Sequence, residues 1–230
     1  MDKNKNYISL KKFSGRLGAD LFGVADISAI KNEFAISKSI VEKADRAIVL
    51  GVRLSQAVLS EISLAPTQLY FHHYRTVNVF LDQAALKVTN FIQDQGFLAL
   101  PVPASQIVDW DKQTAHLSHK KLGVLAGLGW IGRNNLLVNK EFGSQFRLAS
   151  ILTNMPLKAD KPAKLGCGQC RACILVCPAQ AIKEEAAAFD HLKCFAKLKE
   201  FQKQHIVEQY ICGVCIQACQ AKTARGIPKG

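Results

Sequence analysis

The arrangement of the cysteines constrains this chain most. All eight cysteines of the 230-residue sequence lie after position 166, and the first four follow the spacing C-x2-C-x2-C-x3-C-P. Three thiolates in such a run bind three corners of one 4Fe-4S cube, and the fourth ligates a second cluster. The other four cysteines supply the ligands that two clusters need. The sequence therefore predicts two 4Fe-4S clusters held by Cys167, Cys170, Cys173, Cys177, Cys194, Cys212, Cys215 and Cys219.

The same spacing predicts which cysteines share a cluster. Because the fourth cysteine of the run points away from the first cube, Cys177 should join the other one. We call the two predicted clusters A and B. The ligands expected for cluster A are Cys167, Cys170, Cys173 and Cys219, and those for cluster B are Cys177, Cys194, Cys212 and Cys215. A crossed arrangement places the clusters side by side, so that electrons can pass between them.

Zinc and disulfides are the competing interpretations of these cysteines. A four-cysteine zinc site usually consists of two C-x2-C pairs separated by about a dozen or more residues, without three ligands in one short run. Disulfides need an oxidising compartment, and the N-terminal residues MDKNKN do not resemble a secretory signal. Two 4Fe-4S clusters therefore explain the spacing better than either alternative.

Composition favours a globular protein with anionic partners. The apolar fraction of 49% and the charged fraction of 21% are ordinary, and no apolar run approaches the roughly 18 residues of a membrane span. We expect a cytoplasmic protein without a membrane partner. The formal net charge is +12, and two oxidised clusters would lower it to about +8. A basic surface suits nucleic acid, a phosphorylated cofactor or an acidic flavodoxin-like donor, although a solvated lysine surface without a dedicated partner explains the charge as well.

Hydrophobic periodicity predicts alternating helices and strands up to about residue 158. Amphipathic helices are predicted over 7–18, 76–95 and 118–126. Short apolar strands are predicted over 21–25, 47–52, 97–102, 135–138 and 146–152. The lysine- and proline-containing segment 158–165 indicates a linker. We therefore expect an α+β domain over 1–159 and a small cluster domain over 160–230.

A second motif precedes the cysteines. The segment Ala126-Gly-Leu-Gly-Trp-Ile-Gly-Arg-Asn134 is followed by Leu-Leu-Val and by Phe-Gly-Ser. This succession resembles the epoxyqueuosine reductase family, whose A-G-L-G-W-x-G-K-(N/H) signature precedes two 4Fe-4S clusters with the same cysteine order. Reductive dehalogenases that depend on corrinoids are relatives of that family. The resemblance covers roughly residues 70–220 and is to a short form, because eleven residues follow Cys219 where typical members carry helical repeats.

The resemblance implies a fold and a reaction. The fold would be a nitroreductase-like domain that binds base-off cobalamin, followed by a bacterial-ferredoxin-like domain with both clusters. In the reaction, a low-potential ferredoxin or flavodoxin would reduce the clusters, and the clusters would reduce cobalamin. The cobalamin would then reduce a small molecule or a modified nucleoside.

The resemblance also implies cofactor-binding residues: Gly127, Gly129, Trp130, Gly132 and Asn134. Glycines would let the backbone approach a flat macrocycle, and the tryptophan would offer a large face for packing. From the residues alone, a tight helix-to-strand turn explains the glycines as well.

The acid of the family's reaction is displaced in this sequence. The family's V-D-(S/T)-(A/G)-P motif, whose aspartate is the proposed proton donor, corresponds here to V-P-A-S-Q, with Pro103 in the place of the aspartate. Asp109 and Asp111, a few residues on, are therefore the candidate catalytic acids. His119 and Tyr74 are the other titratable candidates, and Tyr74 lies near the position of the family's D-Y-H triplet. The resemblance is to a short form without the helical repeats that help typical members to hold transfer RNA. Transfer RNA is therefore a doubtful substrate.

Three functions remain open from the sequence. The first is an enzyme, a cobalamin-dependent iron-sulfur reductase of the epoxyqueuosine reductase type. The second is an electron-transfer protein that serves a separate partner, and the third is a protein that reduces a corrinoid for delivery elsewhere. The glycine signature favours the first and third functions, whereas the displaced aspartate disfavours the first. An N-terminal domain of about 160 residues is larger than a simple ferredoxin needs.

Overall fold

The computed structural model describes residues 2–110 and 113–220, so the candidate acid Asp111 lies outside the described residues. The helices of this part are α1 (Lys3–Arg16), α2 (Lys38–Val41), α3 (Gln56–Ser60), α4 (Gln68–Gln93), α5 (His119–Leu125), α6 (Ala172–Val176), α7 (His191–Lys203) and α8 (Val214–Ala218). The strands are β1 (Leu21–Asp26), β2 (Arg46–Arg53), β3 (Ala99–Val102), β4 (Trp130–Ile131), β5 (Leu137–Val138) and β6 (Phe146–Thr153). Single 3-10 turns occur at Lys31–Glu33 and Ala186–Ala188. Among the described helices, none combines the length and the apolar character that crossing a membrane requires.

The chain folds into two compact units, each assembled from three separate stretches. The first unit comprises Met1–Val52, Val77–Leu128 and Arg147–Ala163. The second unit comprises Arg53–Thr76, Gly129–Phe146 and Lys164–Gly230. The chain passes from the first unit to the second for the last time between Ala163 and Lys164, close to the domain boundary expected near residue 160. Two earlier stretches nevertheless belong with the cysteine-rich segment, and no shift in composition marks them.

The first unit is organised around a sheet. In the described residues this sheet has four strands in the order β1-β2-β6-β3. Strand β1 pairs with β2 in antiparallel register, from Leu21↔Gly51 to Asp26↔Arg46, and β3 pairs with β6 in the same sense. The apolar run Ala47–Leu50 of β2 is completely buried, and helices α1 and α5 pack against β1. The architecture is thus a mixed arrangement of helices and strands.

Local sequence signals predicted most of these elements. The strands expected at 21–25 and 47–52 are confirmed within one residue, and the helix expected over 118–126 is α5, capped by the Ser118 side chain. Helix α1 starts earlier than expected because the Asp2 carboxylate accepts hydrogen bonds from the first free backbone N–H groups. Helix α4 begins at Gln68, eight residues before the predicted start. Strand β4 was not predicted, because two residues show no periodicity.

The segment expected to be a linker is bound to the sheet. The Asp160 N–H donates to the Val24 carbonyl oxygen, and the Val24 N–H donates to the Asp160 carboxylate. The Tyr7 hydroxyl donates to the same carboxylate at 3.1 Å. Burial and the neighbouring Asp160 charge raise the pKa of Tyr7 to about 12. Asp160 therefore extends the edge of the sheet at β1 and is not part of a free spacer.

The second unit contains a short hairpin in which β4 pairs with β5. Gly129 precedes β4, and a Cβ atom at this position would lie 1.9 Å from the Val138 carbonyl oxygen and 2.8 Å from its carbon. That carbonyl belongs to the backbone of β5, where Val138 pairs with Trp130. The backbone could withdraw only by breaking the hairpin. Glycine is therefore required here by the close approach of two backbone segments.

We predict that Gly129→Ala destabilises the protein by about 1–3 kcal/mol, the usual cost of overpacking. The measurement is urea unfolding followed by circular dichroism under anaerobic conditions. Gly15→Ala in α1 is the matched control, because a Cβ there meets nothing within 4 Å and alanine favours a helix by about 0.5–1 kcal/mol over glycine. If the two substitutions had the same small effect, the packing argument for Gly129 would be wrong.

Candidate metal centre

The structure brings the cysteines predicted for cluster A close to one another. All eight cysteines lie in the described part of the chain, and none of them forms a disulfide. Burial, followed by the charges of Cys219, Cys167 and Cys170, raises the pKa of the Cys173 thiol to about 11. Cys219 lies at the far end of the sequence motif, yet it interacts with Cys167 and Cys170 as well. These four thiols therefore form one group.

The cysteines predicted for cluster B form a second group. Burial and the charges of Cys212 and Cys177 raise the pKa of Cys194 to about 11. Burial raises the pKa of Cys215 well above its usual value, with further contributions from Cys212, Cys194, Cys173 and Cys177. The contribution of Cys173, which belongs to the other group, shows that the two groups are neighbours.

Two short helices explain the crossed arrangement. Helices α6 and α8 pack against each other. Each carries one cysteine inside the helix, Cys173 or Cys215, and ends at the next cysteine as its C-cap, Cys177 or Cys219. The backbone leaves helical geometry at both caps, which directs the capping cysteine away from the cysteine inside its own helix. Each helix thus serves both groups of thiols.

Zinc ions and 4Fe-4S clusters need different spacings between the sulfur atoms of their ligands. Zinc binds sulfur at about 2.3 Å, so that the sulfur atoms of a tetrahedral site lie within about 4 Å of one another. Within residues 2–110 and 113–220, no three His, Cys, Asp or Glu side chains are grouped so that they could hold one metal ion. In a cubane each thiolate binds a different iron, so the sulfur atoms stand farther apart. Two 4Fe-4S clusters at these thiols stay a prediction.

The glycine signature contributes a tryptophan to the cluster A cysteines. The half-buried Trp130 donates a hydrogen bond from its indole Nε1–H to the Cys167 Sγ at 3.3 Å. Its position is fixed by β4, because Trp130 pairs with Val138 in the hairpin. Gly132 follows closely, and a Cβ there would lie 2.5 Å from the Val138 Cγ2 and 3.6 Å from the Cys167 Sγ. The hairpin therefore lies directly against the first cysteine of the motif.

Arg133 fixes the loop that carries the first cysteines. Its guanidinium donates to the carbonyl oxygen of Gly168 at 3.0 Å, of Cys170 at 2.9 Å and of Glu184 at 2.6 Å. The side chain is only 16% exposed, so these carbonyl groups replace much of its hydration. The positive charge of Arg133 consequently lies beside the cluster A cysteines.

Polar contacts also connect the stretch 129–146 to Cys219. Asn134 is buried, and its side-chain amide donates to the Ser144 hydroxyl at 3.0 Å. Hydrogen bonds from the side chain and backbone of Ser144 lower the pKa of Cys219, although burial has the larger, opposite effect. The Gln145 amide donates to the Gln217 carbonyl oxygen at 2.9 Å, beside the C-terminal end of α8. The stretch 129–146 therefore contacts the cluster A cysteines at both ends of the motif.

The residues predicted to bind cobalamin are thus engaged within the protein. Trp130 donates to a cysteine and Asn134 to a serine, while Gly129 and Gly132 face the backbone and side chain of β5. Gly127 adopts a positive φ of 68°, and a Cβ there would lie 2.6 Å from the Lys161 carbonyl oxygen. The binding of cobalamin by these residues stays a prediction from the resemblance alone.

The candidate acids have different surroundings. Asp109 is partly exposed and lies in a tight turn, where its backbone pairs with Thr114 in both directions. Thr114 also lines a cavity of about 370 Å³ in the first unit, together with Phe34, Lys120 and Lys121. Tyr74 is buried, and its ring packs edge-on against Tyr70. The role of Asp109 as an acid stays a prediction.

His119 has a structural role in the first unit. Its Nε2–H donates to the Pro103 carbonyl oxygen at 2.9 Å, so its Nδ1 accepts from the Ser150 hydroxyl at 2.8 Å. Burial lowers the pKa of His119 to about 4, and the nearby Arg147 acts in the same direction. The imidazole is therefore neutral near pH 7, and both of its nitrogen atoms are engaged.

Sequence reasoning overlooked Asp82. Its carboxylate accepts a hydrogen bond from the Ala104 N–H at 2.8 Å, in the loop where the resemblance places the family's aspartate. Burial raises the pKa of Asp82, while the hydrogen bond opposes this effect. The available signal was an acidic residue within the otherwise apolar run VFLDQAAL of α4. The carboxylate anchors the loop that follows β3.

Sequence comparisons identify relatives with one activity. No family model matches the chain. The epoxyqueuosine reductase of Cyclobacterium marinum is 27% identical over an alignment of 239 residues, which covers 91% of this chain and 77% of that protein. The epoxyqueuosine reductase of Escherichia coli (strain K12) is 40% identical over 85 residues, which cover 37% of this chain and 22% of that protein.

Solved structures share the fold. A reductive dehalogenase whose structure suggests a mechanism for B12-dependent dehalogenation superposes with a TM-score of 0.76 at 20% identity, over 95% of this chain and 32% of that one. An epoxyqueuosine reductase with an epoxyqueuosine-modified tRNA-Tyr stem loop gives a TM-score of 0.65 at 18% identity, over 95% of this chain and 66% of that one. At these identities the structures show the fold alone. Together with the sequence relatives, they show that this chain is similar to epoxyqueuosine reductases in sequence and shares their fold.

Proposed function

We propose that this chain is an iron-sulfur oxidoreductase of the epoxyqueuosine reductase type, in which two 4Fe-4S clusters carry electrons to an acceptor. The observation that carries the proposal is the pair of neighbouring thiol groups, each formed by four cysteines with the crossed order of the motif. The proposal assigns cluster A and cluster B to these groups. It also assigns a ferredoxin-like fold to the cysteine segment and a nitroreductase-like fold to the first unit, which the mixed sheet and helices support.

The electron donor is proposed to be a low-potential ferredoxin or flavodoxin. Helix α7 carries the cluster B cysteine Cys194 together with Lys193, Lys197, Lys199 and Lys203. Lys193 is 61% exposed and lies 4.0 Å from the Asp190 carboxylate, and Lys197 pairs with Glu200. Positive charge beside cluster B would attract an acidic donor and orient it during encounter, so cluster B is proposed to receive the electrons first. The formal net charge of +12 acts in the same direction.

Cobalamin is the acceptor that the relatives favour. One structural relative concerns B12-dependent dehalogenation, and the resemblance of the glycine signature implies the same cofactor. When bound, cobalamin would supply a low-valent cobalt that reduces an organic substrate. No step is assigned to the glycine signature, because its five predicted residues are engaged within the protein.

A second function is an electron-transfer protein whose acceptor is a separate partner. The observation that favours it is the use of Trp130, Arg133 and Ser144 around the cluster A cysteines, which explains the signature without a macrocycle. Both functions require the same two clusters. They differ in whether the chain itself holds a corrinoid.

The substrate is proposed to be a small molecule or a modified nucleoside other than epoxyqueuosine in transfer RNA. One relative was crystallised with a modified tRNA stem loop, and for this reason modified nucleosides are retained among the proposed substrates. Pro103, however, offers no acidic group, and its carbonyl oxygen accepts from the neutral His119. Asp109 is the proposed proton donor within the described residues.

We predict about eight iron and eight sulfide ions per chain after anaerobic reconstitution. Cys177→Ser should remove the electron paramagnetic resonance signal of cluster B and retain that of cluster A, since Cys177 lies beside Cys194 and Cys212. Cys173→Ser, inside the helix α6 that Cys177 caps, is the matched variant and should affect cluster A instead. Stoichiometric zinc, or a single cluster in the unmodified protein, would contradict the assignment.

We also predict that the reconstituted protein retains about one cobalamin per chain. Hydroxocobalamin is added anaerobically, free corrinoid is removed by gel filtration, and the absorbance spectrum is recorded. Retention would support the enzyme, whose acceptor is bound. If both clusters can be reduced but no corrinoid is retained, the electron-transfer function is the correct one.

Turnover of an epoxyqueuosine-containing RNA stem loop should be slow. General-acid assistance is typically worth about 10²–10⁴ in rate, and Pro103 cannot provide it. The rate is measured beside that of the Escherichia coli relative under the same reductant. Asp109→Asn should lower the remaining turnover by a similar factor while leaving the cluster spectra unchanged. A rate equal to that of the relative would show that the displaced aspartate is unimportant.

A further inference from the structure

The cluster A cysteines receive hydrogen bonds from side chains outside the cysteine motif. Trp130 donates its indole N–H to the Cys167 Sγ at 3.3 Å, and the Ser144 hydroxyl and backbone both form hydrogen bonds with Cys219. For the cluster B cysteines, donors are found in the backbone: the Ala181 N–H lies 3.4 Å from the Cys177 Sγ. A backbone hydrogen bond of Val214 similarly lowers the pKa of Cys212, against the larger effect of burial.

Each group of cysteines also has a cation nearby: Lys197, whose charge lowers the pKa of Cys212, for cluster B, and Arg133 for cluster A. The guanidinium of Arg133 is bound to the carbonyl groups of Gly168 and Cys170, which lie within the motif that contributes three cluster A cysteines. Because the side chain is mostly buried, its charge is screened less by solvent than that of a surface arginine, although the Glu184 carboxylate lies 3.8 Å from it and offsets part of that charge. Trp130, Arg133 and Ser144 all belong to the stretch 129–146, which we call the accessory hairpin.

Hydrogen bonds and charge near sulfur control the potential of a cluster. An oxidised 4Fe-4S cluster with four thiolates carries about −2, and one added electron makes it about −3. Donors to the sulfur atoms and a nearby cation stabilise the more negative state, so they raise the reduction potential. A side-chain donor that is held by a hairpin is fixed in both redox states. Such a donor therefore stabilises the reduced cluster without having to move when the electron arrives.

We propose that the accessory hairpin raises the reduction potential of cluster A above that of cluster B, with Trp130 as the main hydrogen-bond donor. Cluster B then receives one electron from the ferredoxin or flavodoxin donor, which is oxidised by one electron. Transfer of that electron returns cluster B to its oxidised state and leaves cluster A reduced by one electron. No covalent bond forms or breaks in the protein. The inference rests on the proposed function in that it requires both clusters.

In this account Trp130 is a positioning residue with an electrostatic effect. It contacts a predicted cluster ligand, Cys167, through its indole N–H group. Trp130→Phe removes the N–H donor and keeps an aromatic ring of similar shape. A purely structural role of the tryptophan would therefore survive this substitution with the potentials unchanged. The second tryptophan of the sequence, Trp110, lies in the first unit and provides the matched control.

The test is an anaerobic redox titration of the reconstituted full-length protein, followed by electron paramagnetic resonance. Trp130→Phe should lower the higher of the two midpoint potentials, with the iron content and the lower midpoint unchanged. We expect about a tenfold change in the one-electron equilibrium constant, which corresponds to about 59 mV. Trp110→Phe should leave both midpoints in place.

Two results would overturn the inference. One is an unchanged pair of midpoints in Trp130→Phe with full iron content, and the other is a shift of the lower midpoint only. If Trp130→Phe does not assemble cluster A, Ser144→Ala decides the question: a fall in the higher midpoint supports the inference, and unchanged midpoints overturn it. A wild-type protein with fewer than two clusters would instead contradict the proposed function.

Discussion

Burial of the cysteine thiols is the constraint on which the second unit depends. Burial is the largest cause that raises the pKa of Cys173, Cys194 and Cys212 to about 11, and it also raises the pKa of Cys215 well above its usual value. A thiolate must nevertheless form before it can bind iron, and the charge of the metal provides the stabilisation that water does not. Cluster binding and proton release are therefore coupled in this unit.

The accessory hairpin is the second requirement of the unit. Gly129 lets β4 approach the β5 backbone, and this approach positions Trp130 against Cys167. Arg133 then fixes the carbonyl groups of the cysteine loop, while Asn134 holds Ser144 near Cys219. One short glycine-rich segment thus orders both sequence ends of the cluster A ligand set. Its glycines are explained by packing between protein atoms.

The cysteine spacing and the hydrophobic periodicity of the sequence predicted several features of the structure. The run of three close cysteines followed by C-P predicted the grouping of Cys173 with Cys219, because the ligands of a cubane are set by short local turns. Periodicity predicted β1, β2 and α5 because each buries one continuous face.

The features that the sequence did not predict depend on contacts between residues that are far apart along the chain. Asp160 was expected in a linker, yet it binds Val24. Asp82 anchors Ala104 across 22 positions of sequence. The stretch 53–76 joins the cysteine-rich unit through residues such as Tyr70, whose ring lies 2.7 Å from the place of a Cβ at Gly213. Composition does not encode such pairings, and a glycine signature alone does not distinguish a macrocycle from a neighbouring strand.

The central claim is that two iron-sulfur clusters lie between the crossed cysteines and that the accessory hairpin is hydrogen-bonded to one of them. The most direct measurement is an anaerobic crystal structure with anomalous scattering recorded at the iron absorption edge. The account predicts two separate iron clusters, one bound by Cys167, Cys170, Cys173 and Cys219, with the Trp130 Nε1 within hydrogen-bonding distance of the Cys167 Sγ. A single metal ion among the cysteines, an uncrossed set of ligands, or a Trp130 ring turned away from Cys167 would contradict it.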